Sequence, residues 1–298
     1  MNDILHVTKH HPRPRRAFLK RMLWKAAGSC ALGGLWTGRP EDHYIRQESL
    51  GMTLPNLGSD LRGATLVQLS DLHCSPIVLE RYLNHCVDIV NDMEPDFVAL
   101  TGDFITGPVS YARRIARVLR RLEPSVATLA CLGNHDYGIL HPGGLGASRH
   151  LDLRLSALLA EADVFVMRNE SRTFEIGDSA IQFVGVEDIW TNLYDPREAF
   201  ELIDPNLPTV ALCHNPDGAT DMARRGAHWT LSGHTHGRDC NEDKWTGMVI
   251  PSDARHFTAG YYDLGDDAHL YVNRGLSYGR RTNINARPEI TRFTMREK

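Results

Sequence analysis

Clustered cysteine is missing from this chain. Cys30, Cys74, Cys86, Cys131, Cys213 and Cys240 are scattered over 298 residues with no CxxC pair. That spacing argues against a structural zinc ribbon and against a disulfide-stapled scaffold. Cys131 and Cys213 fall inside apolar runs, as small core residues do. A dominant charge is also lacking: the net charge of -4 gives no global bias toward nucleic acid or an anionic membrane. There is no internal repeat and no low-complexity tract. The chain does have an apolar content of 42% over a length that fits one large domain or two small ones, enough to bury a core.

A long hydrophobic run is absent where it would matter most. The weakly apolar segment from about Ala26 to Trp36, preceded by Lys25, falls short of the about 20 apolar residues of a membrane-spanning helix. It suits the apolar part of a targeting peptide. The basic stretch before it contains Arg15-Arg16-Ala-Phe-Leu-Lys, which resembles a twin-arginine export signal. The alternative is an exposed basic amphipathic helix on a cytoplasmic protein. No A-x-A cleavage site follows Trp36, so the segment is expected to stay as an anchor, and Ala27-Gly-Ser-Cys30 is a poor lipidation site. The expected organisation is a signal or anchor segment over residues 1–36, a linker over 37–62 and a folded domain over 63–298.

Strand and helix patterns alternate from residue 64 onward. ATLVQLSDLH, PDFVALTGD and VATLACLGNHD read as strands with polar ends, separated by the amphipathic stretches VLERYLNHCVDIVNDME and YARRIARVLRRLE. A helix over 152–162 leads to the strand DVFVMRN, and RTFEIGDSAIQFVGVED reads as a hairpin turning near Gly177-Asp178. TVALCHNPD, a short helix near 217–225, HWTLSGHTHG and three strand-like tail segments complete the chain. Alternation followed by a more antiparallel second half predicts an α/β sandwich with mixed sheets.

Five of these strands run apolar and then stop at a potential metal ligand. The residues are Asp71 and His73 in LSDLH, Asp103 in LTGDF, Asn134 and His135 in LGNHD, His214 in LCHNP, and His234 with His236 in GHTHG. Two imidazoles at i, i+2 leave a strand or tight turn on one side and can aim at one spot or at two neighbouring spots. Taken singly, Asp71 reads as a helix cap, Gly102-Asp103 and Gly133-Asn134 as turns, and His214 as a satisfied core histidine. Taken together they are a complementary set of carboxylates, an amide and imidazoles. In α/β sheets, ligands gather beyond the carboxyl ends of strands.

The ordered set DxH, GD, GNHD, H and GHTH, from about residue 64 to the C-terminus, resembles the calcineurin-like metallophosphoesterase family. The resemblance implies an α/β fold, a four-layer sandwich of two mixed β-sheets flanked by helices, with the motifs on loops at one edge. It implies one metal ion held by Asp71, His73, Asp103 and His236, and a second held by Asp103, Asn134, His214 and His234. Both are divalent, and an all-N/O shell suits Mn, Fe or Zn without choosing among them. Asp103 is the candidate bridge, since one carboxylate can span two cations about 3.5–4 Å apart. The implied reaction is hydrolysis of a phosphodiester, phosphomonoester or pyrophosphate bond by a metal-bridging hydroxide. His135 then stabilises the phosphoryl oxygens or protonates the leaving oxygen. Asp136 orients His135, or else caps a helix.

The sequence departs from the family pattern in two places. Many members carry a further aspartate three residues after the GD aspartate, where this chain has Thr106. After GHTHG it reads Arg238-Asp239-Cys240, and Arg238 either clamps a substrate phosphate or faces solvent. The tail NRGLSYGRRTNINARPEI resembles the branch of membrane-associated, twin-arginine-exported phosphoesterases, which includes enzymes related to UDP-2,3-diacylglucosamine hydrolases. A lipid-linked nucleotide sugar is therefore one expected substrate within the class of phosphate esters. The expected partners are that substrate and, through residues 12–36, the membrane or export machinery, with no nucleic acid. The expected location is periplasmic or membrane-associated, the alternative being the cytoplasmic face of the membrane. Two other readings stay open: a non-catalytic scaffold of the same fold, and a membrane-surface binding protein driven by the basic segment alone.

Overall fold

A computed structural model describes residues 4–6, 45–140, 150–237, 257–277 and 287–298. One sheet holds β2 (Arg46–Leu54), β13 (Glu289–Glu297), β3 (Thr65–Leu69), β4 (Phe97–Thr101), β5 (Ala127–Cys131) and β6 (Val164–Val166), in that order across the sheet. The other runs β1 (Ile4–His6), β7 (Glu170–Ile176), β8 (Ser179–Gly185), β9 (Thr209–Leu212), β10 (Trp229–Ser232), β12 (Ala268–Val272) and β11 (Gly260–Gly265). Both sheets are mixed. β3 to β6 are parallel while β13 meets β3 antiparallel. β8, β9, β10 and β12 are parallel, with antiparallel pairs at β7–β8 and β11–β12. The second half is thus less antiparallel than its hairpin patterns suggest.

Burial on both faces explains why the central strands read as unbroken apolar runs. Side chains alternate across a strand. Leu66, Phe97, Ala99 and Leu129 face the opposite sheet, while Val67, Leu69, Val98, Leu100 and Ala130 meet the outer helices. Those helices are Glu80–Asp92, Ser110–Leu119 and Leu151–Ala160, and each packs an apolar stripe onto the same cluster. On the other flank, Val184 and Ala211 pack with Ala199 and Met222, from the short helices Pro196–Ala199 and Ala219–Arg224. The result is four layers, as expected. Phe97 sits at the inter-sheet centre with its ring 5.0 Å from Phe183 and 5.6 Å from Phe174.

The linker reading of 37–62 is corrected from residue 45 onward. β2 pairs with β13 along its whole length, and Met52, Leu54, Leu57 and Leu61 are buried between the sheets. Its outer residues are exposed, as at a sheet edge, so RQESLGMTL carries no continuous apolar signal. The pairing partner lies some 240 residues away in sequence, at Glu289–Glu297, and no local pattern reports it. The twin-arginine motif, Cys30 and Arg238 lie outside the described residues. Among the described residues, no helix is long and apolar enough to cross a membrane.

Candidate metal centre

The carboxyl ends of β3, β4 and β5 in one sheet and of β9 and β10 in the other meet at one edge of the sandwich. Cross-links between loops hold them there. Asp71 N donates to Gly102 O (3.0 Å), His73 N to Asp103 O (2.9 Å) and Gly233 N to His214 O (2.9 Å). Gln68 Nε2 spans the two sheets by donating to Ser232 O at 2.9 Å. The segment 273–277 closes the edge, with Ser277 N donating to Asp71 O at 2.9 Å.

Two groups of donor atoms converge in this frame. Asp71, His73, Asp103 and His236 form one, and Asp103, His214 and His234 the other, with the atoms of each group within 4.8 Å of one another. His73 Nε2 lies 3.4 Å from Asp103 Oδ2 and 3.1 Å from His236 Nε2. His236 Nε2 lies 3.4 Å from Asp71 Oδ1, and His214 Nε2 lies 3.3 Å from Asp103 Oδ2. His234 Nδ1 is 3.0 Å from Asn134 Oδ1 and 3.3 Å from His214 Nε2. Asn134 Nδ2 donates to Ile139 O (2.7 Å), which turns the amide oxygen toward His234. Ligand atoms at 2.0–2.2 Å from a common cation sit about 2.8–3.6 Å from their neighbours, so these separations and this N/O donor set fit a metal site.

All of these residues are buried except His234, which is half-buried beside the half-buried His135. The His135 ring meets His73 edge-on at 4.8 Å, and its backbone N–H donates to Asp103 Oδ1 at 2.9 Å. Burial alone would raise the Asp71 carboxyl, but His236, the bond to His73 and the charge of His214 hold it well below the usual carboxylate range. Burial acts the same way on Asp103, and His214, His135 and His73 outweigh it, again holding the carboxyl low. Burial and then the neighbouring His214 push the His234 imidazole down to about 3. Burial disfavours charge on His214, yet Asp103 and Asp71 raise it well above the ordinary histidine range. A cation held here would require this imidazole to be neutral.

The backbone explains why the motifs look as they do. Asp71 (φ 51°), His73 (42°), Asp103 (56°), His234 (69°) and His236 (56°) all lie in the left-handed region. Such residues cost of order 1–3 kcal/mol each and persist only where the surroundings hold them. Two motif glycines are fixed by close approach. A Cβ on Gly133 would sit 2.4 Å from Asp103 Oδ1, and one on Gly233 would sit 2.3 Å from Asp71 Oδ2.

Of the two readings of Asp136, its bonds match the cap, at the start of the short turn Asn134–Tyr137. Both carboxylate oxygens are taken by backbone N–H groups of Asp103, Phe104, Ile105 and Gly133, at 2.9, 2.9, 3.3 and 2.9 Å. It ties the loop after β4 to the loop after β5. Three further residues stand beside the donors: Thr106, singled out in the sequence as a departure, and Ser277 and Trp190, which carry no sequence expectation. Thr106 Oγ1 is 2.6 Å from His73 Nδ1, and Ser277 Oγ is 3.3 Å from His236 Nδ1. The Trp190 ring meets His234 edge-on at 4.8 Å, and the Trp190 backbone N–H donates to buried Asp188 Oδ1 (2.9 Å). Burial pushes the Asp188 carboxyl up to about 6, against the pull of His214. A signal for Asp188 exists: FVGVED runs apolar and stops at the carboxylates Glu187 and Asp188, as the other five strands stop at polar groups.

A fold of two mixed sheets with a buried Asp/His cluster at the strand ends defines the class. The calcineurin-like phosphoesterase family profile matches residues 64–238, more than half of the chain, and the chain belongs to that family. It is a metallophosphoesterase, a hydrolase of phosphate esters. It is 30% identical to the uncharacterized metallophosphoesterase YkuE of Bacillus subtilis over 292 residues, 95% of this chain and 97% of that one. Similarity to the UDP-2,3-diacylglucosamine pyrophosphatase LpxG of Chlamydia trachomatis is 26% identity over 305 residues, 86% of this chain and 91% of that one. The phosphodiesterase YaeI of Escherichia coli is 30% identical over 226 residues, 75% of this chain and 78% of that one.

Proposed function

We propose that the enzyme works with two divalent cations, one held by Asp71, His73, Asp103 and His236 and the other by Asp103, Asn134, His214 and His234. The observation that carries this reading is Asp103 Oδ2, which lies 3.4 Å from His73 Nε2 and 3.3 Å from His214 Nε2 and so belongs to both donor groups. When bound, paired divalent cations supply Lewis acidity to phosphoryl oxygens and lower the pKa of a water to near neutrality. The chain's own residues do the rest. Asp103 Oδ1 is engaged by the His135 N–H, which fixes the angle at which Oδ2 faces both groups. Asn134 supplies an oxygen without charge, limiting the negative charge of the pocket. His135 is half-buried at the same edge and acts on the phosphoryl or leaving oxygen as proton donor.

The substrate proposed is a phosphodiester or pyrophosphate, with a lipid-linked nucleotide sugar as the first candidate. The name of the LpxG relative and its coverage of most of both chains support that choice. Arg238, directly after the ligand pair, is proposed to bind a non-reacting phosphate. Export by the Arg15-Arg16 signal is proposed, with the enzyme then acting at the membrane or in the periplasm.

Two variants test the reading. Asp103→Asn removes the charge shared by both cations, so metal content and activity should fall together. His135→Asn should keep metal stoichiometry while kcat falls about 10²–10⁴-fold, as for loss of an acid-base partner. Metal loss in His135→Asn equal to that of Asp103→Asn would make His135 a ligand. Full activity in both variants would end the hydrolase mechanism proposed here.

A further inference from the structure

Three imidazoles of the centre present Nε2 to the donor groups and turn Nδ1 away. Behind them stand different partners: the Thr101 carbonyl 2.7 Å from His214, the Ser277 hydroxyl 3.3 Å from His236, and the Thr106 hydroxyl 2.6 Å from His73. We infer that Thr106 is a positioning residue that fixes His73 as its Nδ1–H tautomer and so delivers the Nε2 lone pair to the first cation position. This rests on the two-cation reading above.

A neutral imidazole carries one N–H and one lone pair. His73 Nε2 faces Asp103 Oδ2 at 3.4 Å, Asp71 Oδ1 at 3.8 Å and His236 Nε2 at 3.1 Å. A proton on Nε2 would be drawn to those carboxylates and would leave nothing there to bind a cation. With the proton on Nδ1, the ring donates to Thr106 Oγ1 and Nε2 is free. The hydroxyl is well anchored. Thr106 N donates to Cys74 O (3.3 Å) and Cys74 N to Phe104 O (2.9 Å), within a short parallel pairing of Cys74 and Ile105. The hydroxyl is therefore carried on backbone bonded to the residue next to His73. Its neutrality also matters. A partner behind a metal-bound imidazole sets both its orientation and its basicity, and a hydroxyl gives orientation without adding a third negative charge to Asp71 and Asp103.

The test measures metal binding directly. Mn²⁺ is titrated into chelator-stripped full-length protein, bound metal is counted by atomic absorption, and the His73 ring nitrogens are followed by ¹⁵N NMR in the metal-free state. Thr106→Val keeps the shape and removes the acceptor. It should weaken one cation position about 10–100-fold, leave the other unchanged, and convert His73 from one tautomer to a mixture. Thr106→Ser keeps the hydroxyl and should restore both readouts. Should the valine variant fail to fold, Thr106→Ala carries the same comparison with serine. Native affinity and a single tautomer without the hydroxyl, or a serine variant as weak as valine, overturns the inference. Wild-type protein that binds one cation defeats the two-cation reading, and the Thr106 comparison is still decided at that one position.

Discussion

Replacing Asp136 with asparagine separates a structural tie from a catalytic partner. The side chain is fully buried, and its two oxygens accept four backbone N–H bonds, two each. Asparagine offers one carbonyl oxygen and one NH₂ group. Whichever way the amide turns, two buried N–H groups face a donor. Each buried group left without a partner costs about 1–3 kcal/mol, so Asp136→Asn should lose roughly 2–6 kcal/mol. That is a large part of the about 5–15 kcal/mol that stabilises a typical domain. At about 2–4 °C per kcal/mol for a domain of this size, the thermal midpoint should fall by roughly 5–20 °C. Calorimetry measures it, and kinetics well below the new midpoint should show metal affinity and kcat falling together as the Asp103 loop loosens. An unchanged midpoint with kcat reduced 100-fold would refute this account and return Asp136 to service on His135.

The same geometry makes several further predictions. Gly133→Ala drives a methyl to within 2.4 Å of Asp103 Oδ1, so the variant should bind less metal in atomic absorption even where circular dichroism shows the fold intact. Trp190→Ala removes a ring contact worth about 0.5–1.5 kcal/mol and should weaken the His234 cation position up to about tenfold by titration calorimetry, with Trp190→Phe retaining most of it. Stripping metal with chelator should lower the thermal midpoint by several degrees, because a ligand at 100 times its Kd adds about 2.7 kcal/mol per site; equal midpoints with and without Mn²⁺ would contradict the donor geometry. Lysine at both Arg15 and Arg16 should leave the enzyme active and shift it to the cytoplasm on fractionation; an unmoved protein refutes the export proposal.

The sandwich was legible in the sequence because β3, β4, β5, β9 and β10 each combine a local apolar run with a polar stop. Asp71, His73, Asp103, Asn134, His214, His234 and His236 converge for that reason, since parallel strands deliver their carboxyl ends to one edge. What stayed hidden depends on long-range pairing or on which way a side chain turns. β2 reads as a linker because its partner is Glu289–Glu297 and its outward residues are polar. Asp136 stands next to His135 in sequence, yet its side chain turns to the backbone of Asp103 to Ile105. Thr106 was visible only as a departure, and Trp190 not at all, because packing on His234 from a separate loop leaves no periodic trace.

Glycine at Asp71, His73, Asp103, His234 or His236 would relieve the left-handed backbone there. A population of variants screened for heat resistance alone should therefore drift toward glycine or asparagine at these five sites, trading donors for stability. Under a screen for turnover the same sites stay fixed. Glycine in two or more of these positions in another chain of this fold would mark a lineage released from metal chemistry while its sandwich was still being maintained.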